Sequence, residues 1–231
     1  MAGMTLSGLL AIYGETQTRS WYDMNTLRYF LALVLVVALP PLFLYWVLIH
    51  PLIAFWRAQG LVKTYSVVLT IILFGMLSIF SLRHALLTVD WGTNYWLIGL
   101  GVICLCLAGK MRLALDKHLS LKAMLGLPEI APESYPRRLI TEGIYSQLRH
   151  PRYVQLLIAL IGYALMANYF AVYCAVALWV PGIYVIALLE EQELRDHFGE
   201  EYEAYAKRAP RFIPKFLRLH RSGSPSQRTT V

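Results

Sequence analysis

Two polar clusters sit at the two ends of one long apolar run. The first is Thr141-Glu142-Gly143-Ile144-Tyr145 followed by Arg149-His150-Pro151-Arg152-Tyr153; the second is Glu190-Glu191. A third follows closely, Phe198-Gly199-Glu200-Glu201-Tyr202 with Pro210-Arg211-Phe212-Ile213-Pro214 behind it. Polar groups at a membrane boundary are costly unless paired or wet, so such clusters are functional candidates. The stretch from Tyr153 to Leu189 is apolar for nearly forty residues and is broken near Asn168, which predicts a helical hairpin. A hairpin returns its last residues beside its first, so His150, Tyr153 and Glu190 are expected to share one pocket. Adjacent acids facing an Arg-His-Pro turn give complementary charge in a semi-enclosed site. The plainer reading has Arg149 and Arg152 binding lipid phosphate, His150 and Tyr153 anchoring the interface, and Glu190 and Glu191 solvated.

The elements that must hold these clusters are helices in a bilayer. Of 231 residues, 58% are hydrophobic and 15% charged, with a mean hydropathy of +0.52. That is more apolar and less charged than a soluble domain. Spanning a hydrocarbon core takes about 20 mostly apolar residues. The candidates are Leu27 to Ile49, Tyr65 to Leu82, Tyr95 to Gly109 extended toward Leu115, and the two halves of the hairpin, which turn at Ala167-Asn168. The fold class expected is all-α: a polytopic membrane protein with about five transmembrane helices, the last two a hairpin. Leu27 to Ile49 reads as a retained span and not as a removable signal segment. Pro40 and Pro41 should kink it, and Pro181-Gly182 should bend the returning hairpin helix. Residues 1–26 are expected to hold a short interfacial segment with Trp21 and Tyr22 at headgroup level.

After the hairpin, Leu194, Phe198, Tyr202 and Tyr205 recur at helical spacing opposite charged residues, which predicts an amphipathic helix along the membrane surface. Residues 1–118 form the N-terminal segment and three spans, 119–217 the loop, hairpin and interfacial helix, and 218–231 a disordered tail. Eight of the 21 Lys and Arg lie between Lys110 and Arg152, and seven between Lys207 and Arg228. Both stretches should face the cytoplasm. An odd number of spans then puts the N-terminus outside, against which Arg19 and Arg28 weigh slightly. The net charge of +7 adjoins apolar spans, pointing to anionic lipid and away from nucleic acid. Cys104, Cys106 and Cys174 lie in apolar runs without metal-ligand spacing and read as small hydrophobes. Phe74, Met76, Trp96 and Trp179 are candidates for a lipid cleft, although packing or lipid contact is the commoner use of such residues. His84 and Asp90 lie near a boundary, where lipid or solvent contact accounts for them.

The ordered set Leu139-Ile140-Thr141-x-Gly143-Ile144-Tyr145, Arg149-His150-Pro151-x-Tyr153, a hairpin with Asn168, Glu190-Glu191-x-x-Leu194, Phe198-Gly199-x-x-Tyr202-x-x-Tyr205 and Pro210 resembles the isoprenylcysteine carboxyl methyltransferase and phospholipid methyltransferase superfamily. The resemblance covers about residues 137–215. It implies S-adenosyl-L-methionine as methyl donor, bound at the cytoplasmic ends of the last helices, with a lipid-like or prenylated acceptor entering from the bilayer. By that resemblance Tyr145, His150, Pro151, Arg152, Tyr153, Glu190 and Glu191 line the cofactor. Backbone groups around Arg137, Arg138, Leu139 and Ile140 meet its adenosine end. The residue types agree, since carboxylates and tyrosine faces attract a sulfonium and an ammonium, and Arg138, Arg149 or His150 can meet a carboxylate. Glu190, His150 and Arg149 are therefore the expected catalytic residues. Methyl transfer to a carboxylate is a direct displacement that needs alignment and exclusion of water, with no metal. An amine or thiol acceptor would additionally need a base such as His150 or a Glu.

Two positions depart from the family pattern. Ile186 stands where the isoprenylcysteine enzymes commonly carry an Arg for the substrate carboxylate, leaving Arg195, Arg83 or Arg112 to substitute, and Gln155 replaces a common Gly. The expected activity is isoprenylcysteine-type carboxyl O-methylation, with phospholipid N-methylation or small-thiol methylation as alternatives. A non-enzymatic membrane protein is the reading from another class. The expected location is a bacterial inner membrane, with the site facing the cytoplasm.

Overall fold

A computed structural model describes residues 6–49, 52–116 and 138–214. The side chains of residues 6–22, including Trp21 and Tyr22, are not among those described, and Arg137, most of the loop before it and the tail from Arg218 lie outside the described residues. The helices are α1 (Leu6–Ile49), α2 (Ile53–Gln59), α3 (Leu61–Ser81), α4 (Arg83–Leu86), α5 (Tyr95–Asp116), α6 (Pro151–Ala167), α7 (Phe170–Phe198) and α8 (Glu200–Arg208), with a 3-10 turn at Gly143–Ser146. The fold is that of an all-α polytopic membrane protein. Among the described residues, four helical stretches are long and apolar enough to cross a bilayer: Asp23–Tyr45, Leu61–Ser81, Tyr95–Asp116 and Phe170–Phe198. The apolar α6 has 17 residues, about 25 Å at 1.5 Å per residue, and forms the first arm of the hairpin as a shorter apolar helix beside the four.

The N-terminal part differs from the short interfacial segment expected for residues 1–26. Helix α1 runs unbroken for 44 residues and carries Pro40 and Pro41 inside it. Each proline removes one donor from the helical ladder but leaves the remaining turns intact. Pro41 is accommodated by Gly75 of α3, where an added Cβ would stand 3.3 Å from the ring. Helix α1 is described as far as Ile49, and the His50-Pro51 stop signal lies outside the described residues.

The core lies between α1, α6 and α7. Ala32, Leu35, Val36 and Leu39 of α1 meet Leu160 and Ala164 of α6 and Val172, Val176, Trp179 and Ile183 of α7. Trp179 is buried and donates its indole N–H to the Leu39 carbonyl at 3.1 Å, so it is a core residue. Trp96 and Phe74 are exposed at 90% and 73%, apolar faces turned outward as a bilayer requires. Met76 packs beside Val68 and Ile72. Small residues set the closest helix approaches. A Cβ on Gly101 of α5 would stand 2.7 Å from the carbonyl oxygen of Gly162 on α6, and one on Gly182 of α7 would fall 2.0 Å from the Phe43 ring. Such contacts let helices associate where lipid offers no hydrophobic drive.

The hairpin turns where expected. Asn168 caps α6 in the left-handed conformation at φ 55°, its N–H bonded to Ala164 O at 2.8 Å. Its side-chain amide donates to Gly92 O at 2.9 Å, and it accepts from Tyr173 at 3.1 Å. The loop after α4 joins this turn by backbone bonds, Trp91 N–H to Asn168 O at 3.2 Å and Phe170 N–H to Val89 O at 3.1 Å.

Arg28 of α1 is 2% exposed at the same end. Its guanidinium donates to Ala167 O at 3.1 Å, to Asn25 at 3.2 Å and to Thr93 at 3.1 Å, and it pairs with Asp90. Asp90, expected in lipid or solvent contact, is 36% exposed and is in addition the partner of this buried cation. Arg28 is used inside the bundle, which removes it as an objection to the charge asymmetry.

Candidate active site

The site is built at the other end of α6 from Arg28. Gly143, at φ 59°, opens the 3-10 turn, a conformation that costs glycine little. The chain then passes Leu148 and Arg149 to His150, which caps α6, and Pro151 takes the first helical position, where its missing N–H would have no partner. Helix α7 returns to the same end with Glu190 and Glu191, as the hairpin predicts. The segment after α8 closes the group. Arg149 N–H donates to Pro210 O at 2.8 Å and His150 N–H to Arg211 O at 3.2 Å, two backbone bonds that strap residues 210–211 over the turn.

Glu191 is the hub. It is fully buried and accepts two bonds from Arg211, Nε to Oε1 and Nη2 to Oε2, both 2.7 Å. Arg149 reaches its Oε2 at 3.0 Å, Arg195 at 3.6 Å, and His150 Nε2 lies 3.0 Å from Oε1. A buried carboxylate needs this degree of compensation. Glu190 is 23% exposed, and its neighbours are the Tyr153 hydroxyl and His150 Nδ1 at 3.6 Å. His150 stacks on Tyr153 with centroids 5.7 Å apart and faces Phe212 at the same distance. Burial opposes charge on His150, but Glu190 and Glu191 outweigh it and hold its pKa above the ordinary value. The bond to Glu191 outweighs burial at Arg211 and raises its pKa. Tyr145 is pushed up to about 12 by burial, against the pull of Arg152 and with a smaller push from Glu190, so it is a neutral phenol at working pH.

Helix α8 supports the turn from below. Tyr205 donates its hydroxyl to Tyr145 O at 2.8 Å and lies 3.4 Å from Leu148 O. Burial raises its pKa, keeping it a donor. Tyr202, Tyr205 and Ala209 pack with Leu139, Leu194 and Phe198. The apolar face read at helical spacing is therefore present, with two differences. Gly199, at φ 51°, breaks it into the end of α7 and a separate α8. The tyrosines also bury against the chain's own Leu139 and the 143–148 turn.

Of the expected residues, Arg149, His150, Tyr153, Glu190 and Glu191 come together with contacts between them, and Tyr145 and Arg152 stand within electrostatic reach. Pro151 is buried at the start of α6. Leu139 turns to the α8 tyrosines, Ile140 is half-buried and Arg138 is exposed. Arg211 was missed as a site residue. Its signal was present, since Pro210-Arg211-Phe212 belongs to the third polar cluster, but nothing local says that this arginine reaches back 20 residues to Glu191. Ile186 is 3% exposed and packs in the core. Of the three cations considered in its place, Arg195 lies beside the site, whereas Arg112 pairs with Asp116 at 2.9 Å and Arg83 lies over Phe80 at 4.3 Å.

A donor molecule with a sulfonium, an ammonium and a carboxylate fits these residues. Glu190 and the Tyr153, Tyr145 and Phe212 rings suit its cationic end. Among the described residues, Arg149 Nε and the Tyr202 hydroxyl are buried without a hydrogen bond of normal geometry, and the two side chains lie beside one another next to the acids.

Comparison with known proteins bears on the same segment. The phospholipid methyltransferase family profile matches residues 96–201, from α5 to the start of α8. A nickel-cobalt-cadmium resistance protein of Alcaligenes xylosoxydans is 34% identical over 86 residues, 37% of this chain and 40% of its own length. A cobalt-zinc-cadmium resistance protein of Cupriavidus metallidurans is 35% identical over 86 residues, 37% of this chain and 39% of its own. Protein-S-isoprenylcysteine O-methyltransferase B of Arabidopsis thaliana is 37% identical over 85 residues, 33% of this chain and 40% of its own. The chain thus spans about two fifths of the length of the curated relatives it matches. No solved structure matches the chain. The family match and the plant relative agree with the motif set and are consistent with the integral membrane methyltransferase superfamily.

Proposed function

We propose that this chain is a membrane methyltransferase that uses S-adenosyl-L-methionine and acts on a lipid-like acceptor, in the manner of isoprenylcysteine carboxyl O-methylation. The observation that carries this reading is the meeting of the family motifs in one place: His150 between Glu190 and Glu191, with Tyr153 on Glu190 and Arg211 on Glu191. The donor, when bound, supplies an activated methyl group on a sulfonium. The chain's own residues have the tasks of binding, orienting and excluding water. Glu190, Tyr145, Arg152 and Tyr153 are assigned to the cationic end of the donor, and Arg149 and His150 to the charge balance around it. Arg138, Leu139 and Ile140 are assigned to its adenosine end. With Ile186 at the family's carboxylate-holding position, a carboxylate acceptor requires a substitute cation, and Arg195, 3.6 Å from Glu191 and bonded to Glu203 at 2.8 Å, is the one beside the site. Residues 119–217 act as the cofactor-binding part and residues 1–118 as the membrane frame that admits the acceptor. The cation-rich stretches support a site on the cytoplasmic side of a bacterial inner membrane.

Calorimetric titration of the detergent-solubilised protein with S-adenosylhomocysteine tests the cofactor without knowing the acceptor. Saturable binding lost in Glu190→Gln supports the reading. No binding to folded protein refutes it and leaves a non-enzymatic membrane protein. Mass spectrometry after incubation with prenylcysteine, phosphatidylethanolamine or a small thiol then identifies the acceptor, and methylation of either of the last two alone overturns the carboxyl assignment.

A further inference from the structure

We propose that His150 is a positioning residue, an imidazolium held between Glu190 and Glu191 that fixes the Glu190 carboxylate, and not a proton acceptor. The placement deepens the methyltransferase reading and rests on it for its consequence, though not for its test.

Both ring nitrogens face a carboxylate oxygen: Nε2 is 3.0 Å from Glu191 Oε1, and Nδ1 is 3.6 Å from Glu190 Oε2. A neutral imidazole has one N–H and one lone pair. Either neutral tautomer would therefore aim a lone pair at a carboxylate. Protonating the carboxylate instead is ruled out at Glu191, which faces the guanidinium groups of Arg211, Arg149 and Arg195 at 2.7, 3.0 and 3.6 Å. At Glu190 the Tyr153 hydroxyl donates to Oε1, a bond that favours the carboxylate form. A ring with protons on both nitrogens satisfies both acids at once.

The remaining charged and titratable neighbours do not reverse this. Arg149 beside the ring and Arg211 from the C-terminal strap are both cations that oppose it, but Arg211 is bound to both oxygens of Glu191 and Arg149 Nη1 pairs with Glu191 Oε2. Tyr153 of α6 stacks on the ring, and Phe212 of the strap covers it at 5.7 Å. Tyr145 and Arg152 sit on the Glu190 side, and Tyr202 of α8 lies beside Arg149 and Glu191. Burial opposes the charge as well, and the two acids still prevail. For the reaction, a protic acceptor would not lose its proton to His150. The ring instead holds Glu190 in the orientation that Tyr153 begins.

The test is NMR of the full-length protein in detergent, labelled with ring-15N histidine, at pH 7.5 and without cofactor. The His150 signals are identified by their loss in His150→Gln. Two protonated ring nitrogens are expected; one signal in the range of an unprotonated nitrogen overturns the proposal. Glu191→Gln and Glu190→Gln should each lower the titration midpoint of the ring by about one pH unit or more, the scale of one lost ion pair. A midpoint unmoved in both would also overturn it. Should Glu191→Gln fail to fold, the wild-type spectrum and Glu190→Gln decide. Because the readout needs no donor, loss of S-adenosylhomocysteine binding would refute the methyltransferase reading while leaving the imidazolium result standing, and the two failures are distinguishable.

Discussion

The Arg28–Asp90 pair allows a prediction in which the two partners are unequal. Arg28 is 2% exposed and Asp90 36%. Removing one member of a buried pair costs about 3–5 kcal/mol because the other is left charged and unpaired. In Asp90→Ala the stranded group is the buried guanidinium, which keeps only the neutral acceptors Ala167 O, Asn25 and Thr93, so the full cost of about 3–5 kcal/mol applies. In Arg28→Met the stranded group is a carboxylate that water reaches, and the cost falls to about 2–3 kcal/mol after that screening. The double variant strands no charge and should lie near Arg28→Met alone, a coupling of about 3–5 kcal/mol, the whole cost of Asp90→Ala. Thermal unfolding followed by circular dichroism in one detergent measures all three. At about 2–4 °C per kcal/mol for a chain of this size, Asp90→Ala should lower the apparent melting temperature by roughly 6–20 °C. Equal losses in the two single variants, or strictly additive losses in the double, would refute the argument from burial. Arg28 contacts the C-terminal end of α6 and His150 its N-terminal end, about 25 Å away along the helix. Asp90→Ala should therefore weaken S-adenosylhomocysteine binding only in proportion to the protein it unfolds.

The other predictions concern packing, pH and the support of the site. Gly101→Val should destabilise by about 1–3 kcal/mol or block folding, because its Cβ would meet the Gly162 backbone, which cannot yield without parting α5 from α6; chemical denaturation checks this, and a neutral result would mean the helices are not in that contact. Gly182→Ala should be destabilising by a similar amount and be partly rescued by Phe43→Ala, since the obstacle there is a side chain. His150 has a raised folded pKa, so the stability it contributes is fully present below about pH 6.5 and is lost as pH rises through the folded value. Melting temperatures between acidic and alkaline buffer should fall more steeply for wild type than for His150→Gln, and parallel curves would count against the ion-paired ring. Tyr205→Phe removes the hydrogen bond that ties α8 to the Tyr145 carbonyl. It should cost about 1 kcal/mol and loosen S-adenosylhomocysteine binding, measured by calorimetry, with unchanged affinity as the contrary result.

Much of this architecture was legible in the sequence because it is governed by local physics. A run of about 20 apolar residues must form its backbone hydrogen bonds internally, so the spans could be placed from hydropathy alone. The hairpin turn at Ala167-Asn168 was legible because Asn tolerates the left-handed conformation that ends α6. The meeting of His150, Tyr153 and Glu190 followed from the hairpin itself, whatever the side-chain detail. Pro151 at the first helical position and Gly143 at a positive φ likewise follow from residue type.

What only the tertiary structure decided concerns rotation and long-range pairing. Glu190 and Glu191 are neighbours in sequence but stand about 100° apart around a helix. Which of them is buried as the hub and which borders the site depends on how α7 is turned against α6 and the C-terminal strap. Arg211 and Arg28 carry the same lesson. One reaches a carboxylate 20 positions back, and the other binds groups 62, 65 and 139 positions ahead. Residue type shows that each is an arginine needing acceptors. Which acceptors it finds is set by packing across the bundle, where the cost of an unpaired buried charge selects one arrangement among many that the sequence allows.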